Sequence, residues 1–292
     1  MKIRSFAKIN LGLEVVGKRA DGYHEILTLF QSIDLADVLE FVPVPGRDIR
    51  LSGSDPSVPW DRTNLVHQAA ELLRSETGQG GGVRIEVAKS IPAGRGLGGG
   101  SSNAAMTLFG LNILWDLKLS KTDLAGLGKR IGADIPYFLE GGLCLGEERG
   151  DSLTPLGDLP PVFCLLAFPP FPVGTAGVYA AWHPSLTSHG KPSRIKRFLE
   201  KKDFGLLENQ LEETIFRSYP QLEELKRFLQ DQDAEASLVS GTGSAVFGLF
   251  AEKEKALGGW QKLRKRIPAL VVESLPRETY WRRLRAGESP SW

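Results

Sequence analysis

The chain has 292 residues, of which 41% are hydrophobic and 24% are charged, a balance typical of a globular protein large enough for one or two domains. Its 36 lysine and arginine residues oppose 35 aspartate and glutamate residues, and the formal net charge of +1 argues against a nucleic-acid-binding protein. The sequence contains no apolar run of the roughly eighteen residues that a membrane span requires, so no span is expected.

The N-terminal half is predicted to mix strands and helices. The first forty residues are predicted to form strands joined by a polar turn, because apolar residues alternate over 11–15 and the segment 17–22 breaks that pattern. After a loop rich in glycine, proline and aspartate, a helix is expected to begin at Thr63 or Asn64 and to end at the glycines that start at 78. Alternation resumes over 83–87 and predicts a strand that leads directly into a glycine-rich segment.

The rest of the chain continues this mixture of elements. Helices are expected over 103–115 and 120–132, the second opened by a capping box at Ser120. Further expectations are a strand over 162–168, helical segments within 194–230, a strand, small-residue turn and strand over 238–247, and a strand over 270–272. Because strand and helix do not alternate strictly, we predict an α+β fold with two domains, at residues 1–155 and 156–292.

The cysteines and the first residues bear on the cellular compartment. Cys144 and Cys164 both lie among apolar residues, no Cys-x-x-Cys pair occurs, and the four histidines are scattered. This pattern favours buried free thiols in a reducing cytoplasm over a disulfide framework or a structural zinc site. Residues 1–8 lack the apolar stretch and small-residue cleavage site of a secretory leader, so a cytoplasmic location is expected.

The strongest local signal is the glycine-rich segment 92–102, PAGRGLGGGSS, which lies between a predicted strand and a predicted helix. Glycines permit positive φ angles and carry no Cβ that would hold a ligand away. Successive backbone N–H groups at a helix N-terminus can then converge on an anion. A triphosphate is the expected ligand, and the hydroxyls of Ser101 and Ser102 are candidates to bind phosphate or Mg²⁺.

Other interpretations of this segment fit less well. The Walker pattern requires a Gly-Lys-Ser/Thr after the glycines, and that sequence is absent. A dinucleotide site would require an acidic residue for the ribose and a parallel α/β second half. A flexible surface loop is the remaining alternative, which the flanking strand and helix disfavour.

The segment PAGRGLGGGSSNAA resembles the phosphate-binding motif of the GHMP kinases, a family that includes galactokinase, homoserine kinase and mevalonate kinase. Residues 7–11, AKINL, resemble its N-terminal motif, and residues 240–245, SGTGSA, resemble its C-terminal glycine motif. The three matches lie in the expected order and span most of the chain. The resemblance implies a two-domain GHMP-kinase-like fold with the active site in the interdomain cleft. It also implies an enzyme that uses ATP with Mg²⁺ to phosphorylate a small alcohol.

The same resemblance assigns ATP-binding residues. It implies that ATP contacts Pro92, Ala93, Gly94, Arg95, Gly96, Leu97, Gly98, Gly99, Gly100, Ser101 and Ser102. Asn64 is a candidate for the adenosine end of ATP, although capping of the following helix explains an asparagine there equally well.

Two residues are candidates for catalysis. Phosphoryl transfer requires a group that accepts the hydroxyl proton, and Asp134 is our candidate. The resemblance implies that Lys8 lies beside it, where an ammonium stabilises charge on the attacking oxygen. Asn10 is expected to orient the substrate or the lysine. Each has an alternative interpretation: Asp134 as a turn residue before a helix that begins at Pro136, Lys8 as a solvated surface charge, and Asn10 as the cap of a turn.

Further segments resemble one branch of the family, whose alcohol substrate is linked to a cytidine diphosphate. They are residues 19–26, RADGYHEI, 28–31, TLFQ, and 132–136, GADIP. An aromatic face can stack on a base, and a histidine can bond its edge. The substrate-binding candidates are therefore Asn10, Tyr23, His24, Thr175, Tyr179, Gly241, Thr242 and Gly243. Residues 240–244 are also compatible with a tight turn between core strands.

Three rival functions remain at the level of the sequence. Another GHMP kinase would lack the Asp-Gly-Tyr-His segment, and a nucleotide-binding sensor without catalysis would need neither Lys8 nor Asp134. An RNA-binding module of α+β build would carry a patch of interleaved basic and aromatic residues, which we do not find.

We expect no metal site built from protein ligands alone, because Mg²⁺ arrives with nucleotide phosphate. The partners expected are two small molecules, neither nucleic acid nor membrane, and both a monomer and a homodimer are compatible with the sequence.

Overall fold

Two sheets organise the fold in the computed structural model, which describes residues 1–183 and 192–284. The first sheet contains β1 (Lys2–Lys18), β2 (His24–Val44), β3 (Ile49–Gly53), β4 (Gly82–Ala88), β5 (Leu143–Glu147) and β6 (Ser152–Pro155). The strand order is β3-β4-β2-β5-β6, and β1 pairs with β2. The pair β3 and β4 is parallel, and the other neighbours are antiparallel.

The second sheet belongs to the C-terminal half and is antiparallel throughout. It contains β7 (Phe163–Ala167), β8 (Ala236–Val239), β9 (Val246–Phe250) and β10 (Ala269–Glu273), in the order β10-β7-β9-β8. The predicted strand, turn and strand over 238–247 and the predicted strands near 162–168 and 270–272 are confirmed. The mixture of helices with largely antiparallel sheets confirms the α+β class.

Helices lie on both sheets. They are α1 (Leu65–Thr77), α2 (Gly99–Leu114), α3 (Lys121–Ile131), α4 (Ile135–Glu140), α5 (Thr175–Ala181), α6 (Arg194–Lys201), α7 (Glu212–Ser218), α8 (Pro220–Gln230), α9 (Lys253–Leu263) and α10 (Arg277–Leu284), with a 3₁₀ turn at Phe204–Leu206. Within the described ranges, no helix combines the length and apolar character needed to cross a bilayer. The basic segment 281–285 lies mostly in α10, and residue 285 is outside the described residues.

Two helix starts follow the capping signals in the sequence. The Asn64 side chain accepts a hydrogen bond of 2.9 Å from the Val66 N–H at the start of α1, which ends at Gly78 with φ 65°. Ser120 and Asp123 form the reciprocal capping box that opens α3. Both predictions are confirmed because each cap satisfies backbone groups that the helix itself leaves without partners.

Helix α2 starts four residues earlier than predicted. The sequence indicated a helix from residue 103, whereas α2 begins at Gly99, after Gly98 adopts a left-handed φ of 70°. Glycines weaken a helix on propensity alone, but here close packing requires them. A Cβ at Gly99 would lie 2.9 Å from the Ile91 side chain. Tertiary packing therefore extends the helix into the glycine-rich segment.

Strands β1 and β2 confirm the strands and the polar turn predicted for the first forty residues, although the alternation over 11–15 marked only part of β1. Most of β1 and the first part of β2 are buried on both faces, so the hydrophobic pattern shows no period of two there, whereas buried and partly exposed residues alternate over 33–42 of β2. Bulges interrupt the pairing of β1 with β2 after Phe6, after Asn10 and after Val15. Lys8 and Asn10 lie between two of these bulges, and their spacing of two places them on the same face of the strand.

The two halves share a hydrophobic core. Ala7, Ile9 and Leu11 of β1 cluster with Leu166 of β7 and Phe247 of β9. Helix α10 crosses back to the first half, where Tyr280 and Leu284 join the N-terminal core. The division at residue 155 thus stays a prediction, because the last helix in the sequence packs with the first sheet.

Candidate active site

A cleft of about 1110 Å³ opens between the two halves. Residues of β1, the glycine-rich segment, α5 and the loop between β8 and β9 line it. Typical sites for one small ligand span roughly 300–1,000 Å³. The cleft therefore has room for two small molecules side by side.

The N-terminus of α2 faces one end of the cleft. The segment 92–101 lines it continuously, so the backbone N–H groups of the first helical turn are directed toward the cleft. Those groups lack partners within the helix, and the dipole of a 16-residue helix adds partial positive charge there. This end of the cleft can hold phosphate oxygens.

Two predicted site residues do not reach the cleft. The Ser102 hydroxyl is buried, donates to the Phe6 carbonyl at 2.7 Å and accepts from the Ser5 hydroxyl at 2.6 Å. Gly243 does not line the cleft, and a Cβ added there would lie 3.0 Å from the Val239 side chain. Ser102 lies one position further along the helix than Ser101, and the 100° rotation turns its side chain toward β1. In this structure the Ser102 hydroxyl and Gly243 therefore lie away from the cleft, and the ligand contacts predicted for them stay predictions.

A buried carboxylate anchors the start of the glycine-rich segment. Asp37 of β2 is fully buried and accepts hydrogen bonds from the Ser90 N–H at 2.7 Å and the Ile91 N–H at 2.8 Å. It also accepts from the Asn103 amide at 3.0 Å and forms an ion pair with Lys89. One side chain thus fixes the residues that enter the segment and the helix that leaves it. Lys89 itself lines the cleft.

Lys8 and Asn10 form a fixed polar pair on the floor of the cleft. The Lys8 ammonium donates to Asn10 Oδ1 at 2.5 Å. Asn10 Nδ2 donates to the Thr28 hydroxyl at 2.9 Å, which in turn donates to the Gly12 carbonyl at 2.8 Å. Because Thr28 gives its proton to Gly12, it can only accept from Asn10, and this fixes the amide oxygen toward the lysine.

Asp134 completes this group from the N-terminus of α4. The distance from Lys8 Nζ to Asp134 Oδ2 is 3.7 Å, and the side chains are 5% and 37% exposed. The pKa of Lys8 is lowered because burial removes water from the ammonium, and Asp134 opposes that shift by charge and hydrogen bonding. The structure brings together two residues that are 126 positions apart, as the resemblance implied.

The opposite end of the cleft is aromatic. The His24 ring stacks on the Tyr179 ring with centroids 5.1 Å apart, and meets Trp182 edge-on at 5.3 Å. No base fits between rings that already stack at this distance, so Tyr179 supports His24 from behind in this arrangement. Tyr23 is 57% exposed at the mouth, with the Arg149 guanidinium 5.2 Å from its ring centroid.

The loop between β8 and β9 closes the cleft near Lys8. A Cβ at Gly241 would lie 3.2 Å from Asn10 Oδ1 and 3.6 Å from Lys8 Nζ. The Thr242 hydroxyl lies 3.0 Å from the Thr175 hydroxyl at the start of α5. Gly241, Thr242 and Thr175 all line the cleft, and this loop is also the turn between core strands that the alternative interpretation described.

Asn64 lines the cleft while capping α1. Its oxygen accepts from Val66 N–H, and its amide donates to the Pro59 carbonyl at 2.7 Å. The capping role is thus present, and a contact with adenosine stays a prediction.

The sequence interpretation missed several residues that line the cleft. They include Lys89, Arg149 and Trp182. Lys89 lies three positions before the predicted segment, and its place just after a predicted strand was the available signal. Arg149 and Trp182 carried no local signal, because they reach the cleft through the turn between β5 and β6 and the end of α5.

Possible metal ligands in the cleft are few. Across residues 1–183 and 192–284 no cluster of three or more histidine, cysteine, aspartate and glutamate side chains is arranged to hold a metal ion. The Ser101 hydroxyl lines the cleft at the N-terminus of α2. A hydroxyl oxygen at this position suits Mg²⁺ carried by a nucleotide.

Family profiles match both halves of the chain. The profile described as GHMP kinases N terminal domain matches residues 64–142, and the profile described as GHMP kinases C terminal matches residues 195–269.

Curated relatives and solved structures extend this similarity over most of the chain. The chain is 41% identical over 269 residues to a 4-diphosphocytidyl-2-C-methyl-D-erythritol kinase of Geobacillus kaustophilus, covering 90% of this chain and 93% of that protein. It is similar to a crystal structure of 4-(cytidine 5'-diphospho)-2C-methyl-D-erythritol kinase, with a TM-score of 0.82, 37% identity and coverage of 94% and 99%. A homoserine kinase of Cytophaga hutchinsonii shares the fold, with a TM-score of 0.75, 19% identity and 96% coverage of both chains.

Proposed function

The chain belongs to the GHMP kinase family, and we propose that it transfers the γ-phosphate of ATP to the 2-hydroxyl of 4-diphosphocytidyl-2-C-methyl-D-erythritol. The products are ADP and the 2-phosphate, and the reaction serves the non-mevalonate route to isoprenoid precursors. The observation that carries this proposal is the Lys8–Asp134 pair, which lies in one cleft with the N-terminus of α2 and the aromatic group around His24. The 41% identity to a kinase named for this substrate supports it.

Asp134 accepts the proton of the 2-hydroxyl as that oxygen attacks phosphorus. Its side chain is 37% exposed at the cleft, so an incoming hydroxyl can reach the carboxylate. The bond from the hydroxyl oxygen to phosphorus forms while the bond from phosphorus to the β,γ-bridging oxygen breaks, and ADP leaves with the electron pair. A positioned carboxylate contributes roughly 10²–10⁴-fold in such steps.

Lys8 stabilises negative charge at the reacting oxygens. The ammonium is held at 2.5 Å from Asn10 Oδ1, so it does not have to reorganise as charge develops. Its burial strengthens this interaction, since water does not screen it. Asn10 is thus a residue that orients the lysine, through the chain of hydrogen bonds to Thr28 and Gly12.

The ATP phosphates bind at the N-terminus of α2. Backbone N–H groups of residues 98–101 donate to phosphate oxygens, and the Ser101 hydroxyl adds a further donor. Mg²⁺ bound to the nucleotide would be held by the phosphate oxygens and the Ser101 hydroxyl and would neutralise phosphate charge. Asn64 contacts the adenosine end through its exposed edge.

The cytidine end of the substrate binds at the aromatic group. The exposed Tyr23 ring and the His24 ring each offer a face or an edge to cytosine, and such stacking is worth about 1–3 kcal/mol. Tyr179 and Trp182 hold the His24 ring from its other sides. Thr175, Gly241 and Thr242 close the site over the methylerythritol portion.

The two free thiols support a cytoplasmic location. Cys144 and Cys164 are both free and buried, and burial raises the pKa of Cys144 to about 11 and that of Cys164 to about 12. Such thiols are protonated at neutral pH and suit a reducing cytoplasm. We therefore propose that the enzyme works there on two small molecules.

The test is ADP release with ATP and Mg²⁺, using the cytidyl substrate, homoserine and mevalonate in parallel. The proposal predicts turnover on the cytidyl substrate and none on the other two. Turnover on homoserine or mevalonate alone would contradict the substrate assignment but would leave the assignment as a kinase intact. Absence of turnover on all three, with ATP still bound, would favour a nucleotide-binding sensor.

A further inference from the structure

The Arg95 side chain leaves the glycine-rich segment and contacts the C-terminal half. Its Nη1 donates to the Phe171 carbonyl and, at 2.9 Å, to the Ser244 hydroxyl. Ser244 is fully buried and itself donates to the same Phe171 carbonyl at 2.5 Å. The three groups form a closed ring of hydrogen bonds between the first half and the second.

The backbone next to Arg95 is attached to the same region. The Arg95 carbonyl accepts from the Ala245 N–H at 3.1 Å, and the Gly96 carbonyl accepts from the Ser240 hydroxyl at 2.9 Å. The approach is so close that a Cβ at Gly96 would lie 2.0 Å from the Ser240 carbonyl oxygen. Two consecutive residues of the phosphate-binding segment are therefore fixed to the loop that also contacts Lys8 and Asn10.

The far side of this junction carries the aromatic end of the cleft. Phe171 lies four residues before Thr175, where α5 begins. Helix α5 holds Tyr179 against His24, and Trp182 follows directly after the helix. Arg95 thus connects the segment that faces the phosphates with the segment that shapes the cytidine pocket.

No carboxylate neutralises Arg95 in the described part of the chain, since its side-chain partners there are the Phe171 carbonyl and the Ser244 hydroxyl. Burial lowers the pKa of Arg95, which still remains a cation. The Arg95 guanidinium donates to two neutral oxygen atoms, and these directional hydrogen bonds define the geometry of the junction.

We propose that Arg95 is a positioning residue that couples the ATP site to the cytidine site. ATP that binds at the glycine-rich segment fixes the junction, and through Phe171 it fixes α5 in the arrangement that receives cytosine. Linkage makes the effect reciprocal, so the cytidyl substrate must tighten ATP binding by the same factor. The inference rests on the proposed function and adds to it a thermodynamic coupling between ATP binding and binding of the cytidyl substrate.

The experiment measures that factor by calorimetry. An ATP analogue that cannot transfer its γ-phosphate is titrated with Mg²⁺ into the enzyme, with and without saturating cytidyl substrate. The wild-type protein is expected to bind the analogue at least about 5-fold more tightly when the substrate is present. Arg95→Met is expected to reduce this factor to about 2-fold or less, and titration in the reverse order should return the same factor.

A matched control separates coupling from folding. Arg84 is an exposed arginine on β4 that pairs with Glu86, outside the cleft, and Arg84→Met is expected to keep the wild-type factor. Arg95→Lys retains one cationic donor and should give an intermediate factor. Should Arg95→Met fail to fold, Ser244→Ala opens the same ring while leaving the arginine in place, and it should lower the factor as well.

Two results would overturn the inference. A folded Arg95→Met protein that keeps the wild-type factor, even with a lower melting temperature, would reduce Arg95 to a structural contact. A wild-type enzyme that turns over the cytidyl substrate but shows no coupling would also refute it, while leaving the proposed function intact. A wild-type protein that neither binds nor phosphorylates the cytidyl substrate would refute both.

Discussion

Replacement of Asp134 by asparagine tests the centre of the proposed mechanism. Asparagine keeps the shape of the side chain and removes both the proton acceptor and the negative charge. Loss of a positioned general base costs roughly 10²–10⁴-fold, which corresponds to about 3–5 kcal/mol in the activation barrier.

The structure adds a second effect of the same substitution. The Lys8 and Asp134 charges are 3.7 Å apart, so their attraction is about 4 kcal/mol at an effective dielectric constant of about 20 and about 1 kcal/mol in bulk water. Asp134 is 37% exposed, and the value therefore lies between these limits. Without that attraction the pKa of Lys8 falls further, because Asp134 supplies the contributions that oppose its desolvation. The substitution therefore removes the base and also disfavours the cationic form of Lys8.

The assay is single-turnover ADP formation, with nucleotide affinity measured separately by calorimetry. Asp134→Asn is expected to lower kcat by about 10³-fold or more, while the Kd for the ATP analogue changes by less than about 3-fold. Asp116→Asn is the matched control. Asp116 is an exposed residue with φ 51°, a conformation that asparagine adopts readily, and this variant should behave as wild type. A kcat within about 10-fold of wild type for Asp134→Asn would remove it from the base role.

Three further predictions follow from individual contacts. Lys8→Met should stabilise the protein relative to wild type most at pH values below the lowered pKa of Lys8. As the pH rises toward 10.5 the wild type recovers stability, because its unfolded state still binds the proton that the folded state has lost. Urea titrations of both proteins that show a constant stability difference across this pH range would contradict the prediction. His24→Ala should raise KM for the cytidyl substrate by roughly 5- to 150-fold with little effect on KM for ATP, and an equal rise in both would refute the stacking assignment. Gly96→Ala should lower the melting temperature and the affinity for ATP, because Gly96 has a φ of 75° and a Cβ there would meet the Ser240 carbonyl. Gly126→Ala, in α3 with open space around it, should stabilise the protein by about 0.5–1 kcal/mol. Equal melting temperatures for the two variants would argue against the close approach at Gly96.

Local signals predicted those elements whose ends are defined by hydrogen bonds of neighbouring residues. The helix caps at Asn64 and Ser120 are of this kind, since each side chain bonds backbone within three residues. The alternation over 11–15 marks only part of β1, and the early start of α2 was not predictable in this way. Burial on both faces removes the alternation of a strand, and packing against Ile91 rather than helix propensity determines where α2 begins.

The site was predictable to the extent that motifs carried it. The resemblance named Lys8 and Asp134, and the fold brings them within 3.7 Å, although nothing in their spacing required this. It also named Ser102, whose hydroxyl is turned away to β1 by the rotation of the helix. Trp182 and Arg149 were missed because only the tertiary fold brings their segments to the cleft.

The measurement that tests the central claim most directly is a proton-coupled ³¹P spectrum of the product formed from ATP and the cytidyl substrate. The 2-carbon of the methylerythritol portion carries no hydrogen, so a phosphate on its oxygen has no three-bond proton neighbour. The proposed reaction therefore predicts a new phosphomonoester signal without three-bond proton splitting, formed in step with ADP. A doublet or a triplet would show transfer to a secondary or a primary hydroxyl and would contradict the orientation of substrate proposed for the Lys8–Asp134 pair.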